Sequence, residues 1–214
     1  MKELDFYFDF ISPYAYLAFQ RLPQVLMGTS YTVRYKPLLF AALLRAHGQL
    51  GPAEIAPKRD WTYRQVLWLA REHGVTLDMP RTHPFNPLGL LRLAVACSPQ
   101  GQPNRYVCET LFRHVWQGGA EASDAARLAE VAERLPTVHA PEADEVKQRL
   151  KNHADEALAL GLFGVPSIVA DGKVFWGLDA LPMLGAYLHG DAWFAPGGAW
   201  DQAAQVGAGL ARTR

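Results

Sequence analysis

Ser12 is the residue whose neighbours best suit it to chemistry. Leu4, Phe6, Phe8 and Phe10 alternate with Asp5, Tyr7 and Asp9, a period of two that predicts a strand with one better-buried face. From Tyr14 onward, Leu17, Ala18, Leu22 and Val25 recur at helical spacing, and Pro13 suits the first helical position, where no amide hydrogen is needed. Ser12 therefore falls at the N-cap. Free backbone amides and the positive end of the helix dipole stabilise an anion placed there without any basic side chain. Serine is also a preferred cap, and from this stretch alone capping is the reading adopted. Asp9 is either a partly buried polar group close to the junction or an edge position facing water; the second is the reading taken.

The other reactive side chains point away from metal and redox chemistry. Cys97 and Cys108 are too far apart for a Cys-x-x-Cys pair and lie in helical-looking segments, which suits small buried hydrophobes. The absence of a cysteine at the strand-helix junction disfavours a disulfide oxidoreductase. His47, His73, His83, His114, His139, His153 and His189 show no ligand spacing on one helix face, so no metal site is expected.

The elements that must position Ser12 follow from the rest of the chain. Its 214 residues suffice for one sizeable core or for a domain carrying an insertion. Lys plus Arg and Asp plus Glu balance at 21 each, which leaves no overall field to hold nucleic acid or an anionic membrane. Glu3 and Asp5 precede any apolar run, and no eighteen apolar residues follow one another, so a cytoplasmic protein is expected. Tyr31 to Lys36 alternates as a second strand that Pro37 ends, completing a parallel βαβ unit. Helices are then predicted over 38–46, 58–73, 88–97, 104–116, 125–134 and 142–160, separated by Gly and Pro clusters. Strands return at 167–170 and 173–176 around the turn pair Asp171-Gly172, and a last helix is predicted over 179–188.

That order predicts an α/β protein with the thioredoxin-like fold: residues 1–38 and 161–214 form one discontinuous domain, and 39–160 form an inserted all-helical, DsbA-like domain. In such a fold Gly164-Val165-Pro166-Ser167 is where a cis-proline faces the N-terminus of the first helix. A cis Val165-Pro166 bond leaves the amide and carbonyl of Val165 free to pair with an extended peptide.

These motifs carry a family resemblance. The chain resembles the glutathione-dependent 2-hydroxychromene-2-carboxylate isomerases, relatives of the kappa-class glutathione transferases, over nearly its whole length. The resemblance rests on Phe6 to Ala18, Arg34-Tyr35-Lys36-Pro37, Lys58 with Trp61, Asn86, Trp116, Phe163 to Ser167, and Trp176-Gly177-Leu178-Asp179. It implies that Ser12 occupies the position of the nucleophilic cysteine of thiol-disulfide oxidoreductases, and that glutathione supplies the sulfur. Ser12 would hold the thiolate, Val165 beside Pro166 would pair with the cysteinyl main chain, the Leu178 backbone would serve glutathione, and Asp179 would meet the γ-glutamyl ammonium. A helix N-terminus plus a donated hydroxyl hydrogen bond favours a thiolate over a thiol of pKa near ~8.5.

Lys36, Arg45, Lys58 and Asn86 are the candidates for holding a small aromatic substrate, with Asn86 before Pro87 also able to set a turn. Trp61, Trp68, Trp116 and Trp176 have spacings that suit either core or an apolar pocket. The chain departs from the family pattern at Gln65 and Trp68, at Leu178 and at Ala180. The glutathione half of the site is thus largely present and the substrate half altered. A cytoplasmic homodimeric isomerase of an aromatic-catabolism intermediate is implied, with a kappa-class-like transferase or a redox-inactive binding module as alternatives.

Overall fold

The computed structural model describes residues 1–207; positions 208–214 of the expected C-terminal segment lie outside the described residues. Strand β1 (Lys2–Phe8) is central in a four-stranded sheet of order β2-β1-β3-β4. It pairs in parallel with β2 (Tyr31–Pro37), Phe6 opposite Tyr35, and antiparallel with β3 (Ser167–Ala170), Tyr7 opposite Ser167. Strand β4 (Lys173–Trp176) returns antiparallel to β3. Their turn puts Asp171 at φ 48° and Gly172 at φ 77°, the left-handed conformations that an Asp-Gly hairpin requires. The two ends of the chain share one sheet, as the order of elements predicts.

Helix α1 (Pro13–Val25) covers the face to which Phe6 and Phe8 point. Pro23 lies within it and cannot donate to the carbonyl of Phe19 one turn earlier. Arg105 satisfies that carbonyl instead. Its guanidinium reaches Phe19 O at 3.4 Å and the Tyr35 hydroxyl at 3.3 Å, and lies 4.1 Å from the Phe19 ring centre. Arg105 opens α5 (Arg105–Trp116), so an inserted helix repairs a defect in the first. Phe112 of α5 completes the packing, its ring centre 5.3 Å from Phe8, 4.9 Å from Phe10 and 5.1 Å from Phe19. Helix α4 (Leu88–Ala96) and Val131 of α6 (Ala125–Glu133) extend the same core, so the insertion and the sheet are continuous in packing.

The opposite face of the sheet is closed by α2 (Phe40–Ala46) and α7 (Asp144–Ala159). Ala154 and Ala157 of α7 pack with Tyr7, Leu43, Leu162 and Val169, and the His153 ring bonds to Pro37 O at 2.8 Å. Helix α7 thus covers the sheet although it falls within the 39–160 stretch. Helix α3 (Ala56–Glu72) lies on the α1 side, and α8 (Leu181–Leu188) packs against α1. The helix predicted to start at 179 begins instead as a 3-10 turn over Leu178–Ala180, with Pro182 in the first turn of α8. A short α9 (Ala199–Ala203) follows. Among the described residues no helix is long and apolar enough to cross a membrane.

Candidate functional site

The strand-helix junction is built as its residues dictate. Ser12 has extended backbone angles, and its Oγ accepts the Ala15 amide hydrogen at 3.2 Å, a side-chain cap. Its own hydroxyl proton has no protein acceptor among the described residues. The residues leading into it are held from several sides. Trp116 Nε1 donates to Phe10 O at 2.9 Å, and His83 Nε2 donates to Ile11 O at 2.8 Å. The Tyr63 hydroxyl sits 2.8 Å from His83 Nδ1. The same hydroxyl donates to the His83 carbonyl oxygen at 2.8 Å, and burial lowers the His83 pKa.

Asp9 does not face water. It is fully buried, and its two carboxyl oxygens accept the amides of Ile11 at 3.1 Å and Phe40 at 2.8 Å. The chain turns inward after β1, so the alternation of the strand no longer governs this position. Burial pushes the carboxyl up to about 7 against the opposing effect of the amide bonds.

A cleft of about 630 Å³ opens along α1 from Tyr14, two residues past Ser12, which is not itself among the lining residues. Tyr14, Arg21 and Val25 of α1, Gln65, Leu69 and His73 from α3 and its end, the Val165-Pro166 loop, and residues 176–179, 181 and 182 line it. The Val165-Pro166 bond is cis. Among the described residues neither the N–H nor the C=O of Val165 has a hydrogen-bond partner. Orphaned backbone groups of this kind are rare when buried, and Val165 is 8 % exposed. The Asp179 side chain, which lines the same cleft, likewise has neither ion pair nor hydrogen bond among the described residues. Burial, with the Asp179 charge adding, raises the Tyr14 pKa, and the Tyr14 hydroxyl donates to Gln65 Oε1 at 2.6 Å. Trp176 leans across Gly164, where a Cβ would come 2.5 Å from its Nε1, and packs on Phe163 with ring centres 4.7 Å apart.

The structure therefore brings Val165, Pro166, Leu178 and Asp179 into one cleft, next to the helix that Ser12 caps. The substrate candidates are not brought there. Lys36 is a correction: it is 4 % exposed, and its ammonium lies 2.6 Å from Glu156 and 3.2 Å from Asp5. Alternation along β2 sends Tyr35 toward α1 and Lys36 to the α7 face, where those carboxylates hold it. Arg45 and Lys58 are exposed and line no part of the cleft. Asn86 is exposed too, its Oδ1 accepting the Leu88 amide at 3.1 Å at the head of α4, the turn-setting use. Of the tryptophans, Trp116 is core, Trp176 lines the cleft, and Trp61 and Trp68 are exposed at 63 % and 53 %.

Comparison with known proteins gives the chain its family. A model of the DSBA-like thioredoxin domain matches residues 3–189. The chain belongs to the DSBA-like thioredoxin family. The chain is similar to a 2-hydroxychromene-2-carboxylate isomerase of Sphingobium xenophagum, 29 % identical over 198 residues that cover 87 % of this chain and 98 % of the relative. It is also similar to glutathione S-transferase kappa 2 of Caenorhabditis elegans, 26 % identical over 207 residues, covering 87 % and 92 %. The solved structure of a 2-hydroxychromene-2-carboxylate isomerase superposes with a TM-score of 0.75 at 25 % identity, covering 96 % of this chain and all of that one.

Within this DSBA-like domain the structure adds residues that the sequence reading passes over. The sequence marks His83 only as one of the histidines without ligand spacing and Tyr14 only as a position in the first helix and its motif, and it gives Arg21 no signal. No local pattern marks them, because each acquires its place from a partner distant in sequence, Ile11 for His83 and Gln65 for Tyr14.

Proposed function

We propose that the protein is a glutathione-dependent isomerase acting on 2-hydroxychromene-2-carboxylate or a similar aromatic-catabolism intermediate. The observation that carries the proposal is the pairing, in one cleft, of an unpartnered Val165 peptide with an unpartnered Asp179, beside the capped Ser12. An extended peptide with a free amino group fits that set: Val165 N–H and C=O would hold its main chain, and the Asp179 carboxylate would hold its ammonium. Glutathione, when bound, supplies a thiol able to add reversibly to a conjugated substrate. Ser12 Oγ, already accepting from Ala15, keeps its proton to donate toward an anion at the helix head, where the dipole adds to the stabilisation. Tyr14, Trp176 and Phe163 offer ring faces and restrict water. Arg45 and Lys58, exposed and outside the lining of the cleft, stay in the proposal only as cations at its approach for a substrate carboxylate. A cytoplasmic homodimer is part of the proposal.

The relatives named as kappa transferases support a second reading, in which the same residues serve release of a stable conjugate. Assay with limiting glutathione decides. Many turnovers per glutathione, with none consumed, is the expected result; a conjugate formed in stoichiometric amounts would overturn the isomerase. Calorimetry showing no glutathione binding to the wild type would leave a redox-inactive binding module.

A further inference from the structure

The walls of the cleft are arranged along a single stripe of α1. Tyr14, Arg21 and Val25 are spaced i, i+7, i+11 and project to one side, and the stripe runs about 16 Å at ~1.5 Å per residue. Gln65, Leu69 and His73 face it at i, i+4, i+8 from the α3 side, and Leu181 and Pro182 close the remaining edge. Two ionised side chains line this trough, Arg21 and Asp179. They do not pair with each other. Asp179 has no hydrogen bond among the described residues, and Arg21, half-buried, bonds only to the neutral amide oxygen of Gln24 on its own helix. Ala180, next to Asp179, supplies no cation. The other arginine-rich groove, between α5 and α6, differs: Arg113 and Arg134 are paired with Glu109 and Glu130, and Arg127 is bonded to the carbonyls of Glu121 and His114.

A trough holding one unpaired anion and one unpaired cation has the charge pattern of an amino-acid zwitterion reversed. We infer that Arg21 is a ligand-binding residue that receives the α-carboxylate of the γ-glutamyl end of glutathione, so that Arg21 and Asp179 together grip one amino-acid headgroup. This inference rests on the glutathione reading above and adds a recognition element to it. An ammonium and a carboxylate on the same carbon neutralise both protein charges at once. The guanidinium fork can take the carboxylate through two parallel N–H bonds, at the cost of one bond to Gln24. The subsite selects thiols that carry a free γ-glutamyl headgroup over cysteinylglycine and other truncated thiols.

The test compares wild type and Arg21→Gln by calorimetry with two peptides: glutathione, and 4-aminobutyryl-Cys-Gly, which keeps the ammonium and lacks that carboxylate. Arg21→Gln is expected to weaken glutathione by about tenfold or more. The wild type should lose a similar factor on passing to the analogue, and on the analogue the two proteins should agree within about twofold, as removal of both partners of one contact requires. Arg21→Lys should recover part of the loss. Matching thermal melts check that the variants are folded. Equal glutathione affinity of wild type and Arg21→Gln overturns the inference, as does a loss that persists undiminished with the analogue. A loss abolished only by the glycinamide form of glutathione overturns it as well, since the other carboxylate would then be the partner. Absence of glutathione binding by the wild type overturns the underlying reading and is distinguishable from all of these.

Discussion

Replacement of Ser12 separates the two uses of its hydroxyl. In Ser12→Ala the 3.2 Å bond from the Ala15 amide is lost, which costs ~1 kcal/mol for an N-cap and lowers Tm by about 2–4 °C for a chain of this size. The second use is donation toward a glutathione thiolate, and a hydrogen bond to a charged group contributes about 1.5–3 kcal/mol. Removing it should raise the pKa of the bound thiol by roughly one to two, at ~1.4 kcal/mol for each. Turnover near neutral pH then falls by about tenfold or more and recovers as the pH passes the new thiol pKa. Ser12→Asp is the companion variant. Its carboxylate is as good a cap and complements the helix dipole, yet it repels a thiolate, so stability is kept while activity is lost at every pH. Ultraviolet absorbance of the bound thiolate against pH, with thermal melts of each variant, measures both quantities. A Ser12→Ala protein that melts lower but leaves the thiolate titration unmoved would refute the reasoning and reduce Ser12 to a cap.

Three further outcomes follow from the packing. Arg105→Met strands the Phe19 carbonyl that Pro23 leaves without a donor and removes the contact with the Tyr35 hydroxyl; denaturant unfolding should show a loss of about 1.5–3 kcal/mol, and an unchanged midpoint would contradict the repair. Asp9 has an ordinary pKa of 3.8 and a folded value of about 7, so between those pH values the native state holds the extra proton. Its contribution is present below 3.8 and lost as pH rises through 7, worth at most roughly 4 kcal/mol. The half-buried His83 and His114 and the buried His153, with lowered pKa values, act in the opposite direction, so the diagnostic quantity is the stability difference between wild type and Asp9→Asn, which should shrink in favour of the variant from pH 5 to pH 8; a flat difference would exclude the shift. Lys36→Met leaves Asp5 buried with Arg34 as its remaining partner and frees the half-exposed Glu156, a loss of about 1.5–3 kcal/mol in stability for the lost charged hydrogen bonds, since no buried charge is left uncompensated, with substrate KM unchanged in the folded protein. A raised KM at unaltered stability would return Lys36 to the substrate.

How much could be read in advance depended on the distance over which each feature is decided. The Ser12 cap, the Asp171-Gly172 turn and the Val165-Pro166 stretch are each set within a few residues, and each stands in the structure as read; the first strand is present but ends at Phe8 and is buried on both faces, because helices cover both sides of the sheet, so its alternation marked no exposed face. Lys36 was misplaced because alternation says only that it and Tyr35 lie on opposite faces; which face meets α1 is decided by α7, whose Glu156 is 120 positions away. Asp9 was misread for the same reason, its burial depending on the Phe40 amide of the β2-α2 connection. Pro23 leaves the Phe19 carbonyl without its helical donor, and nothing near it in sequence tells that the donor comes from Arg105, 86 positions on.

The same division runs through the candidate site and explains why its halves were unequally legible. Under the proposed function, peptide capture would use backbone: a helix head, and the two polar groups of Val165, which a serine before Pro13 and a Val-Pro pair before a strand are enough to signal. Discrimination uses side chains from separate elements, and Arg21 gains meaning only from sharing a trough with an unpaired Asp179 and from the lack of a cation at Ala180. A charge pattern of that kind has no sequence motif, since any position on the same stripe of α1 or the facing stripe of α3 could supply the guanidinium. If Arg21 takes the headgroup as proposed, a cation moved along either stripe would serve the same backbone contacts, and a motif search would score that rearranged site as a defective one.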